Sequence, residues 1–294
     1  MALARLSDLL GRAERGGYAL GYFEAWDTYS MEAVAEAAEA ERSPVVLGFG
    51  GMMMDPEWLD RYGIEPLGAY GRSVAERIRV PAALILNEVW TLEHACRGIG
   101  AGFNVVMLNS CTLPYAENVA QTRQLVEIAH AQGVEVQAEL GQLPDFGAQD
   151  AGELTDPEQA REFIAATGAD FLAVSVGNEH LRTRGASPID LERLRAIRAA
   201  VSVPLVIHGG SGLPPGTIGE LVHEGVGLFH VGTIMKRRHL EATRTAFAHL
   251  PADVNYQAVV GSRKLSDFLV PGRAAIGESV RALMRSCGSS GRAG

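Results

Sequence analysis

Residues His208 to Gly212 have the sequence His-Gly-Gly-Ser-Gly and follow the apolar run Val203–Ile207. The histidine is a potential metal ligand at the end of a buried strand. The glycines let the backbone approach an anion, and the helix that follows would offer unpaired N–H groups and the positive end of its dipole. A metal ligand beside a phosphate-sized turn indicates sugar-phosphate chemistry. The alternative is an ordinary turn between a strand and a helix.

Polar side chains also follow the other predicted strands. They are Glu24, Asn87, Glu88, Asn109, Glu139, His180 and His230, the last followed by Gly232 and Thr233. One histidine at a strand end is commonly a hydrogen-bonded structural residue. Several buried histidines and carboxylates together are costly unless they pair or bind a metal, so the set favours a site.

The elements that must position these residues alternate strictly. Eight short apolar runs are each followed by a helical stretch, which predicts an α/β fold, a (β/α)8 TIM barrel. The predicted strands are Ala19–Phe23, Val45–Phe49, Ala83–Leu86, Val105–Leu108, Val134–Ala138, Phe171–Val176, Leu205–Ile207 and Leu228–Val231. Because active sites of this fold lie at the carboxyl ends of the strands, we expect the polar residues to share one mouth of the barrel.

Three segments exceed the basic barrel. Gly50–Gly71, ahead of a helix at Ser73–Arg79, and Gly141–Leu154 are predicted to be long connections on the side of the site. The C-terminal extension, residues 262–294, is predicted to hold an amphipathic helix at Gly272–Cys287 and a flexible tail. This extension would pack on the barrel domain, residues 1–261, or on a neighbouring subunit.

Composition excludes several classes of protein. The length of 294 residues fits one barrel domain, and the net charge of −9 argues against nucleic acid or an anionic membrane as a partner. Three cysteines are too few and too scattered for a disulfide framework or a cysteine zinc site. We find no signal peptide and no apolar run of about 20 residues, so a cytoplasmic protein is expected.

The chain resembles the class II, metal-dependent fructose-bisphosphate and tagatose-bisphosphate (ketose-bisphosphate) aldolases over nearly its whole length. The motifs that carry the resemblance, in order, are Leu6–Leu10, Gly17–Ala19, Ser43–Val45, Gly102–Phe103, Ala138–Gly141, Thr155–Glu158, Gly177–His180, His208–Gly212, Val231–Thr233 with Lys236, and Ser262–Lys264. This order of motifs identifies the superfamily but does not fix the reaction.

The resemblance implies roles for particular residues. His180 and His208 would bind a catalytic divalent metal, usually zinc, and Glu139 would lie near the metal pocket. Arg263 would reach the far end of the substrate, with a surface ion pair as the alternative. The residues expected to hold the substrate and its phosphate are Gly209, Gly210, Ser211, His230, Gly232 and Thr233. The family also implies a homodimer or homotetramer.

The chain departs from the family at the chemical end of the site. The family motif His-x-Asp-His, which supplies a general acid and a metal ligand, is replaced by Ile85–Glu88. Asn87 cannot act as that acid, whereas Glu88 could complete a metal set with His180 and His208. The loop after the fifth strand lacks the family's proton-transferring glutamate, and we expect Asp145 to take its role.

These observations predict a metal-dependent aldolase-type lyase acting on a phosphorylated ketose through a metal-stabilised enediolate. Asn87 would donate a hydrogen bond to a substrate hydroxyl, and Glu139 would tune the metal pocket or move protons. One alternative is an isomerase or epimerase that uses the same enediolate without the missing acid. The other is a catalytically silent barrel that binds a sugar phosphate or acts as a scaffold.

Overall fold

The computed structural model describes residues 3–144, 152–179 and 189–294. Within these ranges eight parallel strands close into a barrel in sequence order. Their bounds are β1 Leu20–Phe23, β2 Val45–Gly50, β3 Ala82–Val89, β4 Val105–Leu108, β5 Glu135–Leu140, β6 Phe171–Val174, β7 Leu205–Ile207 and β8 Val226–Val231. The predicted (β/α)8 barrel is therefore confirmed.

Helices surround the barrel and connect its strands. Their bounds are α1 Leu6–Gly16, α2 Thr28–Glu41, α3 Pro56–Trp58, α4 Ile64–Arg77, α5 Leu92–Ala101, α6 Tyr115–His130, α7 Pro157–Thr167, α8 Leu191–Ala200, α9 Pro215–His223, α10 Thr233–Ala248, α11 Tyr256–Val259 and α12 Val270–Ser286. No helix in the described part of the chain is long and apolar enough to cross a membrane.

The barrel interior is apolar toward its amino-terminal end. Side chains at alternate strand positions form a buried cluster that includes Leu20, Val46, Ile85, Val105, Phe171 and Leu228. Helix α1 closes this end, because Leu6, Leu9 and Leu10 pack into the same cluster. The Glu135 carboxylate accepts a hydrogen bond from the Leu6 N–H at 2.7 Å, which satisfies the start of α1. The opposite end of the barrel is left for polar groups.

The segment Gly50–Gly71, which we predicted to be a long connection after the second strand, is largely helical. A 3₁₀ turn leads into α3, and a π-helical turn at Leu59–Gly63 joins α3 to α4, so the chain is helical from Pro56 to Arg77. The Asp55 carboxylate caps this stretch by accepting the Trp58 N–H at 2.8 Å. The sequence signal was Asp55-Pro56, a cap followed by proline in the first turn, and the helix predicted at Ser73–Arg79 is only the end of this longer one.

The C-terminal helix α12 packs against α2 and α10. The chain beyond it returns to the end of α2, where Gly291 donates its N–H to the Glu41 carbonyl at 2.8 Å. Ser289 is fully buried, and the Ser43 hydroxyl donates to its hydroxyl at 2.8 Å. These contacts attach the tail to the barrel within one chain. The division of the chain into a barrel domain, residues 1–261, and an extension, residues 262–294, stays a prediction.

Candidate active site

The carboxyl ends of the strands surround a cavity of about 170 Å³. The polar residues that line it come from distant parts of the sequence, and they include Asn87, Glu88, His208, Ser211, His230 and Lys236. Parallel strands in register bring these positions to the same rim of the barrel. The structure thus places most of the predicted site residues around one opening.

Glu88, Glu139 and His208 form a buried cluster at the inner end of the cavity. One ligand atom from each lies within 4.8 Å of the others. His208 Nδ1 is 3.3 Å from Glu88 Oε1 and 3.9 Å from Glu139 Oε1. An imidazole nitrogen with two carboxylate oxygens is a donor set that suits a divalent metal such as zinc. The residues fit the ion that the family would bind.

The backbone of Glu88 adopts a left-handed conformation, with φ of 51°. The pairing of β3 with β4 shifts register between Leu86 and Val89, so a bulge surrounds this residue. A non-glycine residue at positive φ costs about 1–3 kcal/mol and tends to persist where function requires it. The bulge turns the Glu88 side chain toward His208 at the inner end of the cavity.

Gln137 holds the two interior histidines. Its side-chain amide donates to His208 Nε2 at 3.0 Å, and its carbonyl oxygen accepts from His230 Nε2 at 3.1 Å. The two imidazole rings stack with centroids 4.2 Å apart. Because Gln137 contacts Nε2, Nδ1 of His208 faces the carboxylates. A metal bound at Nδ1 would need the imidazole proton on Nε2, with the Gln137 amide turned over so that its oxygen accepts from Nε2–H.

The two carboxyl groups of the cluster affect the protonation of His208. Burial opposes protonation of His208, but the neighbouring Glu88 and Glu139 carboxylates outweigh it and raise the pKa of the imidazole. A divalent cation would supply positive charge to the same carboxylates. The electrostatics of the cluster therefore also favour a bound cation.

Two turns, after β7 and before α10, line the cavity and form a cradle that suits an anion. Gly209 has φ of 70°, and a Cβ there would lie 2.1 Å from the Glu179 carbonyl oxygen, so only glycine fits. Ser211 Oγ accepts the Ile234 N–H at 3.1 Å and joins this turn to the start of α10. Gly232 precedes that helix, whose first N–H groups and dipole favour an anion.

A carboxylate and an ammonium group lie beside this cradle. Lys236, in the first turn of α10, donates to Glu24 Oε1. Glu24 fits because Gly50 and Gly232 lack side chains: a Cβ would lie 2.7 Å and 3.1 Å, respectively, from Glu24 Oε2. The sequence placed Glu24 at the predicted mouth of the barrel, but we predicted no specific role for Glu24 or for Lys236. The signal was available in Glu24, which stands at a strand end.

Asn87 and Arg263 are engaged with neighbouring residues. The Asn87 amide donates to Glu88 Oε2 at 2.6 Å, and its Oδ1 is buried with no hydrogen-bond partner among the described residues. Arg263 forms an ion pair with Glu32 at 3.2 Å and lies 4.1 Å from the Tyr29 ring centroid, outside the set of residues that line the cavity. The roles predicted for both stay predictions.

His180, predicted as a metal ligand, and Asp145, predicted as a proton-transfer residue, lie outside the described residues. Among those described, Glu139 completes the cluster with Glu88 and His208. Glu139, which we predicted to lie near the metal pocket, is therefore one of the three residues of the cluster.

Comparison with known proteins identifies the family. The sequence model described as "Fructose-bisphosphate aldolase class-II" matches residues 4–292. The chain belongs to this family. Its relatives include the fructose-bisphosphate aldolase of Geobacillus stearothermophilus, which is 33% identical over 300 residues that cover 100% of this chain and 99% of the relative.

Solved structures of aldolases share the fold of this chain. The YdjI aldolase from Escherichia coli K12 is 26% identical with a TM-score of 0.83, covering 99% of this chain and 100% of that one. The fructose-bisphosphate aldolase of Campylobacter jejuni, 20% identical with a TM-score of 0.79, covers 97% of this chain and 94% of that one. The second likeness concerns the fold alone.

Proposed function

We propose that this chain is a metal-dependent aldolase-type lyase that makes or breaks a carbon–carbon bond in a phosphorylated ketose. One observation carries the proposal: a single cavity joins the cluster of Glu88 and His208 to the turns at Gly209 and Gly232. Membership of the class II aldolase family supports the reaction class. The substrate would be a small phosphorylated ketose.

Glu88, Glu139 and His208 would hold the metal, with His180 as a further ligand implied by the family resemblance. A divalent ion bound there, which we propose is Zn²⁺, supplies a Lewis acid for the ketose oxygens and stabilises the enediolate. Gln137 keeps His208 turned toward the two carboxylates. The barrel itself therefore preorganises the donor set.

The cradle would fix the substrate by its phosphate. Gly209, Ser211, Gly232 and Thr233 line the cavity, and their backbone N–H groups and hydroxyls, with the N–H of Gly210, would donate to phosphate oxygens. Fixing the phosphate holds the reacting carbons at a constant distance from the metal cluster. His230, which lines the cavity between the two ends, would contact the sugar.

The residues available for proton transfer differ from the pattern of the class II aldolases, as the sequence predicted. Asn87 carries a second amide hydrogen beyond the one donated to Glu88, and this hydrogen would bind a substrate hydroxyl. It cannot be released as a proton, so Glu139 and Asp145 are the proposed groups for moving protons. We also retain the prediction of a cytoplasmic homodimer or homotetramer.

Asn87 gives an isomerase or epimerase some support as a second candidate. Such an enzyme forms the same enediolate but leaves the carbon–carbon bond intact, and it does not need an acid for the departing aldehyde oxygen. A catalytically silent barrel that only binds a sugar phosphate or acts as a scaffold would need neither enediolate formation nor bond cleavage.

Metal analysis and two assays test these functions together. We expect a divalent metal bound at one ion per chain, and release of an aldehyde from one member of a panel of ketose phosphates. Solvent deuterium entering dihydroxyacetone phosphate without any cleavage would favour the isomerase. Absence of bound metal, with His208→Ala behaving as wild type, would end both enzymatic proposals.

A further inference from the structure

Tyr22 is a buried phenol in the interior of the barrel, on β1. Its side chain is 1% exposed, and its ring packs edge-on against His230 with centroids 4.6 Å apart. The hydroxyl is buried and has no hydrogen-bond partner among the described residues. Leaving a buried hydroxyl without a partner costs about 1–3 kcal/mol, so its persistence needs an explanation.

The surroundings of Tyr22 point to a ligand as that partner. Tyr22 lines the same cavity as Asn87, Glu88 and His208. Burial, with the Glu24 and Glu88 carboxylates, raises the pKa of the phenol well above its ordinary value. The group therefore keeps its proton at neutral pH and is a hydrogen-bond donor.

Two other side-chain donors of the cavity already have a carboxylate partner. The Asn87 amide donates to Glu88, and the Lys236 ammonium donates to Glu24. Tyr22 belongs to the lining of the cavity that joins Glu88 and His208 to the turns at Gly209 and Gly232, where the reacting carbons would lie. We propose that Tyr22 is a catalytic residue whose O–H donates a hydrogen bond to the oxygen of the aldehyde substrate. This proposal rests on the proposed function.

The physical effect belongs to the condensation direction. When the enediolate carbon attacks the aldehyde carbonyl, the electron pair of the carbonyl π bond moves onto oxygen, which becomes more negative. A fixed donor in a buried site stabilises that charge more in the transition state than in the ground state. Tyr22 would supply this stabilisation where Asn87 has no acidic proton.

Tyr22→Phe tests the proposal because it removes only the hydroxyl and keeps the ring against His230. We expect kcat to fall by about 10²–10³, the loss typical for one such donor, while KM changes by less than about threefold. We also expect Tm to stay equal or rise, because the variant no longer buries an unpaired hydroxyl. A structural role would instead lower Tm.

Tyr18→Phe is the matched control. Tyr18 is also buried, packs in the same apolar cluster, and lies at the opposite end of the barrel. Its variant should keep wild-type kcat. An active wild type with an equally active Tyr22→Phe, or a loss of activity that tracks a loss of Tm, would overturn the role of Tyr22 alone. A wild type with neither cleavage nor exchange would overturn the proposed function as well.

Discussion

At the scale of single residues, the cavity divides its charges between two ends. Glu88 and Glu139 gather negative charge where a cation would bind. At the other end, Glu24 and Lys236 offset one another beside backbone N–H groups. A phosphate in the cradle would compete with Glu24 for the Lys236 ammonium. The affinity of the cradle therefore depends on both members of this pair.

Substitutions at the pair should shift phosphate affinity in opposite directions. Glu24→Gln removes a carboxylate that repels the anion and frees Lys236, so the Kd of inorganic phosphate should fall by about fivefold. Lys236→Met should raise that Kd by about tenfold through loss of a charge-assisted hydrogen bond. Isothermal titration measures both, with Lys264→Met as the exposed control. Equal Kd values in all four proteins would contradict the prediction.

Asn87→Asp restores an ionisable group at the position of the missing acid. If only this proton limits cleavage, the variant should cleave a ketose phosphate at least about tenfold faster than wild type. Asn87→Ala is the control, and it should not gain activity. A variant without a gain would locate the limitation in the metal set or in the loop that contains Asp145.

At the scale of elements, turns and strand ends determine the shape of the site. The turn after β7 depends on glycine at 209, since its left-handed backbone brings the Cβ position close to Glu179. The connection before α12 depends on Asp267, which is fully buried. It accepts hydrogen bonds from the Tyr29 hydroxyl and the Arg263 N–H at 2.8 Å and 2.9 Å. These contacts fix a segment of irregular structure against α2.

Gly209→Ala should damage the cradle. The clash with the Glu179 carbonyl and the strained backbone should cost about 2 kcal/mol of unfolding free energy or more, and phosphate binding should weaken with it. Gly216→Ala is the matched control, because a Cβ there meets nothing within 4 Å and the residue lies in α9. Denaturant unfolding and phosphate titration of both variants provide the measurement. A tolerated Gly209→Ala would show that the turn can rearrange.

Asp267→Asn should make the free energy of unfolding depend less on pH in the acid range. Burial opposes ionisation of Asp267, but hydrogen bonds from Leu269, Tyr29 and Arg263 outweigh it and lower its pKa below 3.8. A lowered pKa stabilises the fold above the unfolded-state value, and this contribution is lost as pH falls through the folded-state value. We expect the variant to lose about 1.5–3 kcal/mol at pH 7.

The difference between wild type and Asp267→Asn should narrow as pH falls below about 3.8, the ordinary value for aspartate. Urea unfolding at pH 7 and at acid pH measures both differences. If the difference in unfolding free energy between the two proteins stays constant with pH, the lost stability comes from packing rather than from the charge of Asp267.

At the scale of the whole molecule, the metal cluster connects three parts of the barrel. Glu88 comes from β3, Glu139 from β5, and His208 follows β7. An ion held by all three would join strands that are not neighbours in the barrel. Binding to the folded chain alone then stabilises the entire fold by mass action.

Removal of metal should therefore lower Tm. At an ion concentration about 1,000 times Kd the linkage is about 4 kcal/mol, which corresponds to a shift of about 8–16 °C in a domain somewhat smaller than this one. Chelation followed by readdition of Zn²⁺ measures the shift by calorimetry. His208→Asn should abolish it, whereas His223→Asn, at an exposed histidine, should retain it. Identical Tm values with and without metal would contradict the cluster as an ion site.

Much of this architecture could be predicted from local patterns. Apolar runs of strand length alternate with helical segments, and a closed parallel barrel requires eight such units, which is the number found here. The polar residues at strand ends were identifiable for the same reason. The helical course of the Gly50–Gly71 segment was missed because its apolar residues, Leu59 and Ile64, are buried by contacts with the rest of the fold.

The sequence by itself determined the order of the strands, the rim at which polar groups gather and the glycine turn that follows His208. Only the tertiary structure decided that Glu139 joins Glu88 and His208, that Glu24 pairs with Lys236, and that Tyr22 opens into the cavity. The physical reason is that periodicity specifies which face of a strand is buried. Which residues meet across a closed barrel depends on register and on the β3 bulge, and both arise from the packing of all eight strands together.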